Sequence, residues 1–418
     1  MDRRDMIKVY PMCSVEEALQ QVLTQFHPLD PERVPILEAL DRVLTEDVIS
    51  EFDIPPHANS AMDGYAVRAD DTKGARRQTP CTLRVIGNLA AGHVLDTRVT
   101  PGAAVRIMTG APIPPGADAI VRFEDTRSEG ESVHIFSEIG VEKDLRSAGE
   151  DVRQGERVLR KGMHLRPQEV GMLAALGRAN VSVVRRPRVA ILATGDELVD
   201  VGHSLTPGKI YDANSYSNVA QVLRYGGVPI HLGIVHDRKD LLAKKIEEGL
   251  SQGVDLFLVS GGVSVGDFDV VKEVLAAKGE VSFWRVRMKP GKPLAFGTIG
   301  GEPGKGVPLL GMPGNPVSAM ISFELFARPA LLTMLGETDL EKPSVEALLV
   351  DAIPHKDDRR HYLRVRLEEK DGKRYASLAG NQGSGVLNSM VRADGLAVIP
   401  EEWPSVPVGQ RVRVMLLD

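Results

Sequence analysis

At 418 residues, 43% hydrophobic and 26% charged, the chain has a globular composition and is too long for one ordinary core; its length calls for roughly three or four domains. A formal net charge of −6 argues against nucleic-acid binding. No run approaches the ~18 apolar residues of a membrane span, Met1-Asp2-Arg3-Arg4-Asp5 leads into no signal-peptide core, and Cys13 and Cys81 lack metal-ligand spacing, so the expected compartment is cytoplasmic with neither disulfides nor a thiolate metal site.

Ser14-Val15-Glu16-Glu17 is a capping box that opens a helix to about Phe26, with Val15, Leu19, Val22 and Phe26 along one stripe. From 52 to 149 the pattern changes to short β runs, at 82–86, 103–108, 119–123 and 133–136, which predict a separate β-rich lobe. A strand over 157–165 follows, and Pro167 starts a short helix to about Leu176. Beyond Arg185-Arg186-Pro187 strands and helices alternate. Strands are expected at 189–193, 230–235, 256–260, 281–286, 294–296 and 307–310, and helices at 214–225 (capped by Asn214), 240–249, 270–278 and 317–335. The alternation predicts an open, mostly parallel sheet with helices on both faces, a three-layer α/β domain. After Lys342-Pro343 the helices stop, and runs at 345–352, 362–367, 375–378, 396–399 and 412–416 predict a small terminal β-barrel.

The most informative stretch is Val259-Ser260-Gly261-Gly262-Val263-Ser264-Val265-Gly266-Asp267-Phe268-Asp269, a buried strand that breaks into a glycine–serine loop before a helix. Glycines let backbone N–H groups approach an anion, and a helix N-terminus favours negative charge. Asp267 and Asp269 would repel that anion unless a cation lies between them. The loop therefore suits a phosphate-bearing ligand with a divalent metal, or else is a tight turn capped by aspartate.

Ligands collect at the carboxyl ends of parallel strands in open α/β sheets. There the chain places Thr194-Gly195-Asp196-Glu197, His236-Asp237, the glycine–serine loop, and Gly311-Met312-Pro313-Gly314-Asn315-Pro316-Val317-Ser318. Two like charges ~4 Å apart cost about 4 kcal/mol at an effective dielectric near 20. Clustered Glu197, Asp237, Asp267 and Asp269 would thus hold protons or a hard cation, and an all-oxygen set favours Mg2+ over zinc. Lys289 and Lys292, on a proline-stiffened loop, suit an oxyanion or are simply a solvated basic turn. Pro55–Val67 and Arg106–Gly116 are rigid loops of similar style in the β-rich lobe; Thr109 either binds a ligand or closes a turn.

These segments, in this order, resemble the molybdopterin molybdenumtransferase family, which includes the E domain of gephyrin. The matching pieces are Asn59–Ala66, Met108–Pro112, Ala148–Asp151, Thr194–Leu198, Ser260–Gly266 with Asp269, Lys289–Pro293 and Pro313–Ser318, with Arg364 and Gln382–Gly385 fitting less specifically. Met312 stands where leucine is more usual, a nearly volume-conserving exchange. The resemblance implies a discontinuous N-terminal domain (1–51 and 150–185), an inserted β-rich domain (52–149), an α/β molybdopterin-binding domain (186–338) and a C-terminal β-barrel (339–418). It implies an enzyme, a transferase that takes adenylylated molybdopterin and molybdate, inserts molybdenum and releases AMP with Mg2+. Glu197, Asp237, Asp267 and Asp269 would hold the metal, and Gly261, Gly262 and Ser264 would donate to phosphate or pterin. Lys289, Lys292, Ser318, Arg364 and Ser384, beside Pro313 and Pro316, would receive molybdate. The resemblance further implies a homodimer in which Asp63 and Thr109 complete the opposite subunit's site, with an upstream adenylyltransferase and downstream molybdoenzyme chaperones as protein partners. The competing readings are an adenylyltransferase that only prepares the nucleotide-linked pterin, and a scaffold on the same fold.

Overall fold

The computed structural model describes residues 9–236, 238–262, 274, 279–301, 306–354 and 357–417. They form two compact units, one of 9–33, 41–43 and 182–417, the other of 34–40 and 44–181.

The first unit is built on a seven-stranded sheet. Its strands in chain order are β1 (Val9–Cys13), β2 (Arg188–Thr194), β3 (Val228–Val235), β4 (Leu256–Ser260), β5 (Gly279–Val286), β6 (Pro293–Ile299) and β7 (Val307–Met312). They lie in the order β1-β5-β6-β7-β4-β2-β3. The pairs β1/β5, β7/β4, β4/β2 and β2/β3 are parallel, and β6 runs antiparallel to both neighbours. A strand covered on both faces needs apolar residues at every position, which is why Val189–Ala193 and Leu256–Val259 are continuous apolar runs. Alternate side chains serve opposite layers. Val189, Ile191, Leu256 and Leu258 pack with the Val15–Leu23 helix and the helical run beginning at Pro316. Ala190, Leu192, Phe257 and Val259 pack instead under the Lys239–Ser251 helix.

Several local expectations need correction. The N-terminal strand β1 was not foreseen; it precedes the Ser14 capping box, which forms as expected. The cap expected at Asn214 is instead Asp212, whose carboxylate accepts from the Ser215 N–H at 3.0 Å and opens the Ala213–Arg224 helix; Asn214 is already inside it. The strand over 157–165 stops at Leu159, where Lys161 and Gly162 turn the chain. The final helix is not uniform. Pro316–Ser322 is α-helical, Phe323–Ala327 widens to a π turn, and Arg328–Met334 returns to α. By length and composition this 19-residue run could cross a membrane, yet 78% of its most apolar window is buried inside the protein, the signature of a core helix. The expected helix over 270–278 lies outside the described residues apart from Val274.

Beyond the linker, strands Arg360–Lys370, Lys373–Leu378, Ser344–Leu349, Arg411–Leu416 and Gly395–Ile399 pair in that order and close on Arg360–Lys370, a five-stranded barrel filled by residues such as Val365, Ala376 and Val414. A short strand, Met288–Lys289, pairs parallel with Arg360 and His361.

The second unit carries a six-stranded sheet in the order Ala119–Arg122, Gly64–Val67, Ala103–Ile107, Cys81–Leu89, Ser132–Ile135, Thr126–Glu129. Gly64 is required there, since a Cβ would stand 2.0 Å from the Val121 carbonyl oxygen of the adjoining strand.

Candidate active site

The register of the large sheet determines what meets at its carboxyl rim. Thr194 pairs with Val235, Ala193 with Ser260, and Ser260 with Met312, so four strand ends stand in one row. Two further backbone bonds extend that row by one residue, Gly195 N–H to the Val235 carbonyl and Gly261 N–H to the Met312 carbonyl, both 3.2 Å. The predicted polar segments therefore leave the sheet side by side. β5 is parallel to these strands through β6 and β7, so the Arg287–Lys292 turn that follows it opens on the same rim.

Close approach explains the glycines. Gly261 has φ +88°, and a Cβ there would lie 2.3 Å from the Thr194 carbonyl oxygen. Gly314 packs against the Gly261 backbone, and the Asn214 amide holds the Gly314 carbonyl at 2.8 Å. Asn214 thus fastens the Pro313–Pro316 turn, a role that reading it as a helix cap had hidden. Glu197 folds its carboxylate back over Gly195, where a Cβ would be 2.5 Å from Oε2. His236 stands 3.6 Å from Asp196, whose carbonyl accepts from the Lys209 ammonium.

Of the four expected metal ligands, Glu197 is described; Asp237, Asp267 and Asp269 lie outside the described residues, as does Ser264. Among the described residues no cluster of three His, Cys, Asp or Glu side chains could hold a metal. What is visible fits Mg2+ in kind, since Glu197 offers carboxylate oxygen at the rim beside Gly261.

The oxyanion candidates fall into a neighbouring group. Pro316 starts the final helix with its fixed φ, Pro313 and Ser318 are buried, and the Val317 N–H donates to the Ser384 carbonyl at 3.1 Å. Half-buried Lys292 closes its turn through its carbonyl, which accepts from Val286 N–H at 2.8 Å. Lys289 lines a cleft of about 310 Å³ with Pro290, His361, Arg364 and Gln382. Arg364 is 1% exposed. Its Nε donates to Ser389 Oγ (3.2 Å), and its terminal nitrogens donate to the Tyr362 and Gly383 carbonyls (both 3.3 Å). Those partners are uncharged, and burial lowers its pKa to about 10. A guanidinium carries five N–H groups, so this buried cation keeps donors for an anion. Among these neighbours His361 was missed; its only sequence signal is its place one residue before the expected strand over 362–367.

In the second unit, the two rigid loops meet. Asp63 Oδ1 accepts from the Thr109 N–H at 2.7 Å and from its hydroxyl at 2.8 Å, and Gly110 N–H donates to the Ser60 carbonyl at 2.8 Å. The Thr109 backbone N–H, then its hydroxyl, hold the Asp63 carboxyl below its ordinary pKa, with help from Arg106. The two readings of Thr109 therefore join: it closes a turn, and in doing so fixes an exposed carboxylate.

The chain matches three regions in succession: the MoeA N-terminal region (domains I and II) over 13–177, a probable molybdopterin-binding domain over 190–333, and the MoeA C-terminal region (domain IV) over 346–417. Fold and rim together define a MoeA-type protein built around a molybdopterin-binding fold. The crystal structure of a molybdopterin biosynthesis moeA protein from Pyrococcus horikoshii superposes with a TM-score of 0.80 at 33% identity, covering 97% of this chain and 100% of that one. The molybdopterin molybdenumtransferase of Haemophilus influenzae is 35% identical over 410 residues, 96% of this chain and 98% of its own. That of Bacillus subtilis is 33% identical over 408 residues, 96% and 94% respectively. The chain belongs to the molybdopterin molybdenumtransferase family.

Proposed function

We propose that the sheet rim joins molybdate to adenylylated molybdopterin and releases AMP. The chain is a transferase of molybdenum cofactor biosynthesis, which inserts molybdenum into molybdopterin. The observation that carries the finer reading is the register, which opens the Gly261–Gly262 loop, the Glu197 carboxylate and the lysine turn on one edge. An oxyanion and a pyrophosphate repel each other unless charge is neutralised between them, and this edge offers both kinds of neutralising group.

In this reading Gly261, Gly262 and Ser264 donate to the phosphates. Glu197, with Asp237, Asp267 and Asp269, holds Mg2+, which when bound neutralises pyrophosphate charge. Lys289, Lys292, Ser318, Arg364 and Ser384 receive molybdate against the Pro313–Pro316 turn, and their fixed positions supply orientation. Asp63 and Thr109 act from the other subunit of a homodimer. The flanking regions favour this over a bare adenylyltransferase, whose chemistry needs only the α/β part. The test incubates purified protein with adenylylated molybdopterin, Mg2+ and molybdate. AMP should appear only when all are present, and its absence would defeat the reading.

A further inference from the structure

Two residues that line the cleft proposed for the oxyanion, Lys289 and His361, already have an anion beside them. Asp357 Oδ2 lies 3.4 Å from the Lys289 ammonium and accepts from Arg359 at 2.7 Å, while Oδ1 stands 2.8 Å from His361 Nε2. Burial on its own would raise the Asp357 pKa, but Arg359 and His361 outweigh it and hold the carboxyl well below the usual range. The group is therefore a carboxylate at any working pH. Deeper in, Arg364 faces only a hydroxyl and carbonyls among the described residues. Of the cleft's two permanent cations, Lys289 thus has a carboxylate beside it, and Arg364 has none among the described residues.

This asymmetry has a chemical consequence. An oxyanion bound between Lys289 and Arg364 would meet Asp357 as a like charge and compete with it for Lys289. Asp357 belongs to the bend at 357–359 just before the Arg360–Lys370 strand, and its side chain is 29% exposed, so it has solvent to turn into.

We infer that Asp357 is the resident counter-ion of this cleft: it holds Lys289 while the cleft is empty, yields it to an arriving oxyanion, and so sets how tightly molybdate binds. The inference rests on the reading that molybdate is received at Lys289 and Arg364.

Equilibrium dialysis of labelled molybdate against the full chain tests it directly. Asp357→Asn keeps polar contact with Arg359 and His361 but removes the charge, and should bind molybdate about fivefold to tenfold more tightly. Asp357→Glu should return to wild-type affinity, and the gain should shrink as salt rises because the pair is partly exposed. Asp357→Ser provides the same test should the asparagine variant fold poorly. Affinity that is unchanged or weaker in a folded charge-removing variant overturns the inference while leaving the oxyanion site standing. Binding that is indifferent to both Lys289→Ala and Arg364→Ala removes the site, and the inference with it.

Discussion

Glu197 is an exposed carboxylate lying over the backbone of Gly195, at an edge whose other loops are suited to anions. Nothing about folding asks for a negative charge there, so its role is to be sought in what binds. Glu197→Ala should leave the thermal transition within about 0.5 kcal/mol of wild type, as for surface positions generally. Mg2+-dependent AMP release should fall by roughly a hundredfold, with partial recovery at higher Mg2+. Wild-type turnover at ordinary Mg2+ would remove Glu197 from the metal set. Gly261 is the opposite case, where folding itself dictates the residue: its positive φ and its contact with the Thr194 carbonyl leave no room for a side chain. The first residue is legible in sequence as a charge beside a strand end. The second is legible only as a glycine in a loop, because the atom it must avoid is 67 positions away.

Among the elements, the final helix shows how a buried polar network is tied to a local irregularity. Its π turn carries Glu324, which meets Lys342 at 2.7 Å and accepts from Tyr225 at 2.8 Å, with both ionic side chains 5% exposed. Arg328, in the next turn, donates to the Leu340 and Glu341 carbonyls and so fastens the linker that leads to the barrel. Burial lowers the Lys342 pKa, an effect that Glu324 offsets only in part. Glu324→Leu would leave that lysine buried without its counter-charge, still bonded to the Tyr225 hydroxyl at 2.8 Å, and should cost about 3–5 kcal/mol in denaturant unfolding. Pairing it with Lys342→Met should restore most of the loss; a double variant as unstable as the single would show that the π turn, not the charge, is at fault.

The Pro167–Ala175 helix gives a pH test at the same scale. Glu169, 6% exposed, accepts from the Arg166 N–H and its guanidinium, and chiefly that guanidinium lowers its pKa to about 2. A depressed folded-state pKa means the stabilisation is complete above the unfolded value, near 4.5, and fades as pH falls toward 2. Glu169→Gln should therefore cost about 1–3 kcal/mol at pH 7, by the worth of charge-assisted bonds, and the gap should narrow between pH 4.5 and 2. A gap independent of pH would place the effect in packing. Both helices were expected, one from the Pro167 start and the other from the alternation of strands and helices; the π turn was not, and the partners of its Glu324, Tyr225 and Lys342, lie outside the helix.

At the scale of the whole molecule, alternating β and α runs followed by strands alone were enough to expect a layered sheet and a terminal barrel. What periodicity could not supply was direction. β5, β6 and β7 look like further parallel strands in sequence, yet the six-residue turn at 287–292 is too short for a parallel crossover, and β6 must reverse. That reversal is also what places the lysine turn on the sheet's carboxyl rim, so one topological fact was missing from both fold and candidate site. Asp63 and Glu197 lie in different units of the chain. If each site of a two-fold dimer takes Asp63 from one subunit and Glu197 from the other, mixing Asp63→Ala protein with Glu197→Ala protein under subunit exchange has a definite outcome. Random assembly makes half of the dimers mixed, and each mixed dimer carries one doubly damaged site and one intact site. About a quarter of wild-type AMP release should return, although each parent alone is nearly inactive. Native mass spectrometry would establish that mixed dimers had formed. Mixed dimers as inactive as their parents would show that Asp63 serves its own subunit or only its loop, and the shared-site reading would fail.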